Sequence, residues 1–483
     1  MSESGRIKNI LFHATLVIFP FLLLGMVEIA LKLFGYGDDL SLFVSSPIPG
    51  YYQINRKVAE RFFSRSEITV PTPVSDYFLK EKPASGYRIF VLGESSVEGF
   101  PYDANLISTR ILQRRLQDIF PDRTIEVVNL GMTAIDSYAL LDFAKEILQQ
   151  KPDAILIYAG HNEYYGALGV GSMENGSIPI WMKKLEMRLV HLRLYQLLGQ
   201  GIASVARLIH PVTRTKAKET LMERMIGRDV IPFHSKMYYE GLRQFSDNIG
   251  ELIIKMKDAN VPVIISDLVS NVGHQPPFRS VQSGTYPDAD SLYHDALRLE
   301  ATSKFANAKK KFIEAKDLDA MRFRASEDMN SLIARLSDSL GVYHMSLKSL
   351  FENHSPNGIV GDNLMSDHLH PNIDGQFLIA EGFFNALKEH GMIEIDWDSS
   401  KIRPSSWYRN NWGFTTLDSM IAIIKIKHLK AGWPFQPENT VNNFRSVYTP
   451  HGIVDSLAFM TVEYVNFTPS MAHKKLASYY ESI

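Results

Sequence analysis

The feature that most constrains this chain is an alternation of short, nearly continuous apolar runs with longer helical patterns. The runs are residues 89–92, 125–130, 154–158 and 261–266, and 341–345 (Gly-Val-Tyr-His-Met) adds a fifth. Each is bounded by turn residues and lacks the every-other-residue polarity of a half-exposed strand. Such runs suit strands buried on both faces, as in a parallel sheet. Helical patterns lie between them at 108–120, 137–150, 238–259 and 326–340. Strands alternating with helices imply a doubly wound α/β sheet, with ligands bound outside the carboxyl ends of its strands.

At 483 residues the chain exceeds one average domain. A net charge of −2 gives no basic footprint, so no nucleic acid is expected as a partner. The absence of cysteine removes a cysteine nucleophile, a CxxC redox motif and thiolate metal sites together. No H-E-x-x-H, no clustered set of acids and no glycine-rich phosphate loop occurs, so neither a metal nor a cofactor is expected.

Residues 10–34 read ILFHATLVIFPFLLLGMVEIALKLF, and 11–27 carry no Lys, Arg, Asp or Glu. As a helix, that length spans about 30 Å of hydrocarbon. Pro20 is a candidate kink, and Glu28 and Lys32 are spaced to pair near the far end. Phe34-Gly35-Tyr36-Gly37 is a poor match to a signal-peptide cleavage site, so an uncleaved transmembrane anchor is expected. Arg6 and Lys8 precede the run and Asp38 and Asp39 follow it. That bias leaves residues 1–9 in the cytoplasm and the remaining chain outside.

Residues 35–85 carry five prolines (Pro47, Pro49, Pro71, Pro73, Pro83) and read as a connector packed on the domain at 86–392. Two insertions interrupt that domain. The first, 171–232, holds eight basic residues between Lys183 and Lys218 against one acid, Glu186. Leu185, Leu189 and Leu192 recur there at helical spacing. Two readings follow: a basic amphipathic helix on an anionic membrane, or an ordinary helix packed on the domain with a solvated charged face. The second is the expectation. The other insertion, 290–321, places Ala296, Phe305, Ala308, Phe312 and Ala315 as in one tetratricopeptide-like hairpin. Residues 393–483 form an aromatic-rich C-terminal extension. Its stretch 471–480 looks like the first helix of another such repeat, either continuing beyond Ile483 or docking on the extension.

Four short blocks carry the chemistry. Gly93-Glu94-Ser95-Ser96 follows the first apolar run, Asn129-Leu130-Gly131 the second and Gly160-His161-Asn162-Glu163 the third. Asp367-His368-Leu369-His370-Pro371 lies near the end of the domain. A serine hydroxyl becomes a nucleophile when a base takes its proton, and the base needs an orienting carboxylate. Ser95 is the candidate nucleophile, with Ser96 its rival. His370 is the candidate base and Asp367 its acid; His368, Asp362 and Asp374 compete. The backbone N–H of Ser95, Gly131 and the uncharged amide of Asn162 are candidate oxyanion donors. Glu163, Tyr164 and Asn271 are expected at the substrate-binding rim. His161 is a candidate there too, with a structural role equally open.

In kind and order these blocks resemble those of the SGNH hydrolases, also called GDSL esterases, over about residues 86–170 and 235–392. The resemblance implies a flavodoxin-like sheet and an acyl-enzyme reaction on a carboxylic ester, without cofactor. The third position of the family's Gly-Asp-Ser pattern falls on Ser95, with Glu94 replacing the Asp. The family's Gly-x-Asn-Asp is here Gly-His-Asn-Glu, which retains Asn162. The anchor and repeat-like helices are similar to those of bacterial membrane-bound members. That implies a single-pass inner-membrane protein with its catalytic domain on the periplasmic or extracellular side. The expected function is a membrane-anchored serine esterase or acyltransferase acting on a lipid or glycan acyl ester. The alternative is a catalytically silent scaffold that binds a protein partner through its helical insertions and extension.

Overall fold

A computed structural model describes residues 3–63, 70–172, 179–209, 221–227, 230–282, 284–438, 440–464 and 466–483. The basic positions Arg214, Lys216 and Lys218 lie outside them.

The chain begins with a helix, Glu3–Leu33, that runs through Pro20. Its segment Phe12–Leu33 has a mean hydropathy of 2.3 and is long and apolar enough to cross a membrane. Three short strands follow, β1 (Phe43–Ser45), β2 (Tyr51–Ile54) and β3 (Tyr77–Leu79), in an antiparallel sheet of that order. This sheet is no loose tether. Phe43, Ile54, Val58, Phe62 and Phe78 are buried with the main core. Arg61, buried, donates to Leu40 O and to the carboxylates of Asp142 and Glu146 on the helix Ser137–Gln149. Asp76 accepts the N–H of Asn129 at 2.8 Å and also pairs with Arg110.

The main sheet is β4 (Gly86–Gly93), β5 (Thr124–Gly131), β6 (Ala154–Tyr158), β7 (Val263–Ser266) and β8 (Tyr343–Met345). Its order is β5-β4-β6-β7-β8 and every pairing is parallel. The five expected runs are its five strands. β7 and β8 are shorter than their runs for local reasons. Pro262 precedes β7, where it lacks an N–H to give. Gly341 caps the helix Glu327–Leu340 in the left-handed conformation at φ 61°, so the chain cannot extend until past it. Two helix groups cover the sheet: Ser108–Ile119 packs with Ile373–Glu389, and Lys236–Asp258 packs with Ser137–Gln149 and Glu327–Leu340.

Numbered from β4, the strand order is 2-1-3-4-5, the flavodoxin-like arrangement. The order reverses between β4 and β6. Connections leaving two adjacent strands there diverge, and a crevice opens between them.

In the 290–321 region, helices Ala289–Ala301 and Phe305–Leu318 form a hairpin around Tyr293, Ala296, Ala308, Phe312 and Ala315. The C-terminal extension has its own small core of Leu417, Ile421, Phe444, Leu457 and Ala472. The helix Pro469–Glu481 docks there, with His473 Nε2 2.9 Å from Asp418.

Candidate active site

Ser95 opens a one-turn helix, Ser95–Glu98, directly at the end of β4. His370 and Asp367 sit on the loop before the helix Ile373–Glu389. The fold brings the three together across 275 residues of sequence: His370 Nε2 lies 2.7 Å from Ser95 Oγ. His370 Nδ1 lies 2.6 Å from Asp367 Oδ2. The other carboxylate oxygen, Oδ1, accepts the N–H groups of Leu369 and His370, both at 2.9 Å. Asp367 is fully buried. Burial alone would raise its pKa, but His370 and His368 beside it hold the carboxyl well below its usual value. An ionised Asp367 keeps the proton on Nδ1 and leaves the Nε2 lone pair facing the serine hydroxyl.

The rival residues are placed elsewhere. Ser96 Oγ turns to Leu369 O at 3.3 Å. Asp362 accepts from Asn271, and Asp374 pairs with Arg409 on an exposed face. His368 lies on the far side of Asp367, its Nδ1 3.2 Å from Oδ1. Asp367, His368 and His370 place one ligand atom each within 4.8 Å of one another. The 2.6 Å bond already engages Asp367 Oδ2 and His370 Nδ1 with each other.

Asn162 follows β6, on the other side of the crevice. Its N–H donates to Glu94 at 3.1 Å, while its side-chain amide has no partner among the described residues. Gly131 departs from expectation. Its N–H is taken by Asn129 Oδ1 at 2.7 Å, so it is not free to meet an oxyanion. A Cβ there would lie 2.1 Å from Glu98 N and 2.6 Å from Val97 C. The glycine lets the end of β5 press against the backbone of the Ser95–Glu98 turn.

The four residues expected at the substrate rim are all buried. Glu163 accepts from Ser137 Oγ at 2.8 Å and Gln244 Nε2 at 2.6 Å, inside the core. Burial, then the neighbouring Asp136, pushes its pKa well above the usual carboxylate value. The Tyr164 hydroxyl donates to Tyr238 O, and its ring packs with Tyr165, Ile231 and Tyr238. Asn271 donates to Asp362 at 2.7 Å and to Asp367 O at 3.1 Å, so it pins the histidine loop. His161 Nδ1 accepts the Ala325 N–H at 3.2 Å. Burial, helped by nearby His368, pushes its pKa down to about 3, so it is a neutral buried imidazole. The structural alternative for His161 is the one the geometry takes.

Glu94 has a role that its sequence position left undecided. It is buried, and its carboxylate accepts the N–H groups of Gly160 (3.0 Å), His161 (3.0 Å) and Asn162 (3.1 Å). Gly160, at φ 135°, turns the backbone so that three successive N–H groups converge on it. One side chain therefore ties the Ser95 turn to the Asn162 loop. Burial pushes the Glu94 pKa up to about 8, while the three N–H groups pull it down. Aromatic rings complete the surroundings. Phe100 lies 4.7 Å from the His370 ring, and Phe278, Phe323 and Phe435 lie 5.4–5.8 Å from that of His368. Phe435 comes from the C-terminal extension. Nothing in the sequence signals that approach, because its partners are dozens to hundreds of residues away.

No protein-family model matches the sequence, and no curated relative does. Solved structures with similarity include the acetyl xylan esterase AlAXEase, at 11% identity and TM-score 0.33, covering 62% of this chain and 99% of that one. A lipase/acylhydrolase from Enterococcus faecalis is 13% identical with TM-score 0.33, covering 63% and 96%. A mutant of Axe2, an acetyl-xylooligosaccharide esterase from Geobacillus Stearmophilus, is 12% identical with TM-score 0.33, covering 64% and 96%. Likenesses this distant carry no inference about reaction or substrate. The chain's own geometry does: a flavodoxin-like parallel sheet presents Ser95, Asn162 and the Asp367–His370 loop together at the carboxyl ends of its strands.

Proposed function

We propose that this chain is a serine acyl-ester hydrolase or acyltransferase of the SGNH kind, held at a membrane by its N-terminal helix. The single observation that carries the reading is the continuous Ser95–His370–Asp367 chain, with contacts of 2.7 and 2.6 Å. Ser95 Oγ attacks the ester carbonyl carbon while His370 Nε2 takes its proton. Negative charge collects on the carbonyl oxygen, where the Asn162 amide and the Ser95 N–H donate. The tetrahedral intermediate collapses, and the leaving alkoxide departs with the proton from His370. Water or an acceptor hydroxyl then gives its proton to His370 and attacks the acyl carbon; Ser95 Oγ leaves, taking that proton back from His370. Asp367 stays ionised and holds the imidazole in one tautomer throughout.

Hydrolysis and transfer differ only in which hydroxyl reaches the acyl-enzyme. A membrane-proximal acyl ester, on lipid or glycan, is the proposed substrate. The connector sheet supports this: it is buried with the main core, and Asn55 beside it holds the backbone of Asp39, shortly past the end of the apolar helix. The proposed location is the bacterial inner membrane, with the domain on its outer side.

Turnover of p-nitrophenyl acetate by the full chain tests the reading. Ser95→Ala, His370→Ala and Asp367→Ala should each lower it by orders of magnitude. Because the three act as a unit, a double variant should lose little more than the worst single one. Wild-type turnover in His370→Ala would defeat the mechanism.

A further inference from the structure

The helix Ile180–Leu189 is packed in reverse of a soluble surface helix, and the helix Arg193–Ile209 is exposed on every side along its described residues from Leu197 to Val205. In the first, the side turned to the domain holds Lys183, 6% exposed, and Met187. Lys183 Nζ reaches Leu168 O at 3.3 Å and lies 5.7 Å from the ring centre of Tyr138. The side turned outward holds Trp181, 66% exposed, with Met182 and Leu185. In the second helix, Leu198, Ile202 and Val205 recur at i, i+4, i+7, one stripe along one face. They are 57%, 71% and 55% exposed. The packed-helix expectation requires Leu185, Leu189 and Leu192 to be covered by the domain; Leu189 is half-buried, but Leu185 and Leu192 are exposed, as are Leu197 and Leu198. Burying a lysine while exposing a tryptophan and a stripe of aliphatic residues costs free energy in water. The exposed apolar part of that cost disappears when the outer medium is itself apolar, and an apolar medium also favours turning the lysine inward.

The position of these helices says what that medium is. Glu28, at the end of the uncharged part of the N-terminal helix, accepts the N–H groups of Arg193 and Leu194 at 3.0 and 2.8 Å. Gln196 exchanges hydrogen bonds with the backbone of Asp38, and the Tyr36 hydroxyl donates to Gln200 at 2.8 Å. The second helix therefore starts where the apolar run stops, at the depth of a headgroup layer if that run spans. Arg188 is exposed beside the apolar residues, as in helices that lie on anionic lipid.

We propose that residues 180–209 form a monotopic surface that lies in the outer leaflet of the membrane, with Trp181, Leu185, Leu198, Ile202 and Val205 immersed. This rests on the anchored reading above. It gives the catalytic domain a second attachment beside the first, so that the domain cannot swing freely about its anchor.

The chain has no cysteine, so single-cysteine labelling is clean. Full-length Leu23→Cys, Leu185→Cys, Ile202→Cys and Lys236→Cys variants would each carry an environment-sensitive fluorophore. Each would be placed in vesicles of zwitterionic and anionic phospholipid, with and without bromine on the acyl chains. Equal melting temperatures would show that the label leaves the fold intact. The expected result is blue-shifted, bromine-quenched emission at 23, 185 and 202, and none at 236, whose lysine side chain is exposed. Quenching at 23 with water-like emission at 185 and 202 would overturn the surface while leaving the anchor. Quenching at 185 and 202 but not at 23 would support the surface and overturn the anchor. No quenching at any of the three would overturn both.

Discussion

At the scale of the residue, the site depends on how few groups hold the reacting ones in place. Glu94 receives three N–H groups on two oxygens. In Glu94→Ala all three N–H groups lose their acceptor, at a cost of about 1–3 kcal/mol for each one left buried and unpaired. We expect kcat to fall in this variant with KM little changed, because the loop it ties carries Asn162. Steady-state kinetics on a soluble ester checks this; an unchanged kcat would show that the tie does not position Asn162. For Asn162→Ala, loss of one oxyanion donor predicts a fall of ~10²–10³ in turnover. Equal rates would remove Asn162 from the reaction. That Ser95, Asp367 and His370 meet was legible, because a serine at a strand end and an Asp-x-x-His on a late loop have few other joint uses; their catalytic role is the proposed one. Glu163, Tyr164 and Asn271 turn inward instead of toward the rim, and His161 takes the structural one of its two open roles, because adjacency in sequence says nothing of side-chain direction. Around a tight turn, neighbours of a crevice-facing residue point back into the protein, as Glu163 does toward Gln244. Gly131 was misread for another reason: whether an N–H is free depends on a side chain two residues away, Asn129.

At the scale of the element, periodicity carried most of the fold. A fully buried strand such as β6 reads as an unbroken apolar run, whereas β8, exposed at Tyr343 and His344, is the weakest of the five. The antiparallel sheet at 43–79 was not legible. Its strands are three or four residues long and separated by irregular chain, too short for a period of two to register. Long-range polar contacts hold it, and these have no local signature. Arg61 is the clearest case, with its side chain 1% exposed and two carboxylate partners. Arg61→Met should destabilise the chain by ~3–5 kcal/mol, since it leaves two partly buried acids without their cation. Denaturant unfolding measures this, and turnover per folded molecule should stay at the wild-type level. A loss of turnover at full stability would mean that the small sheet shapes the site rather than supports it. The repeat-like spacing at 290–321 did give a helical hairpin, because small residues where two helices cross are a local signal.

At the scale of the whole molecule, buried charge sets a pH dependence. Glu94 is pushed from 4.5 to about 8, and Glu163 is raised as well, chiefly by burial. A folded state that holds such protons loses stability as pH rises, because the unfolded chain releases them first. His161 and His368 act oppositely, since burial lowers both from 6.5. The unfolded chain binds their protons below about that pH, so stability rises up to there. Between pH 7 and 8 Glu94 remains in play, lowering stability by at most about 1.4 kcal/mol per pH unit until it ionises. The melting temperature should therefore fall from pH 7 to 8; a flat or rising profile would mean that Glu94 is ionised in the fold. The account's central claim also belongs to this scale, because only the complete fold joins Ser95 to His370. Peptide mapping of the full chain after reaction with a fluorophosphonate tests it most directly. The account predicts one adduct, on Ser95 and not on Ser96, lost in His370→Ala. An intact, folded chain that never labels, or labels equally without His370, would contradict it.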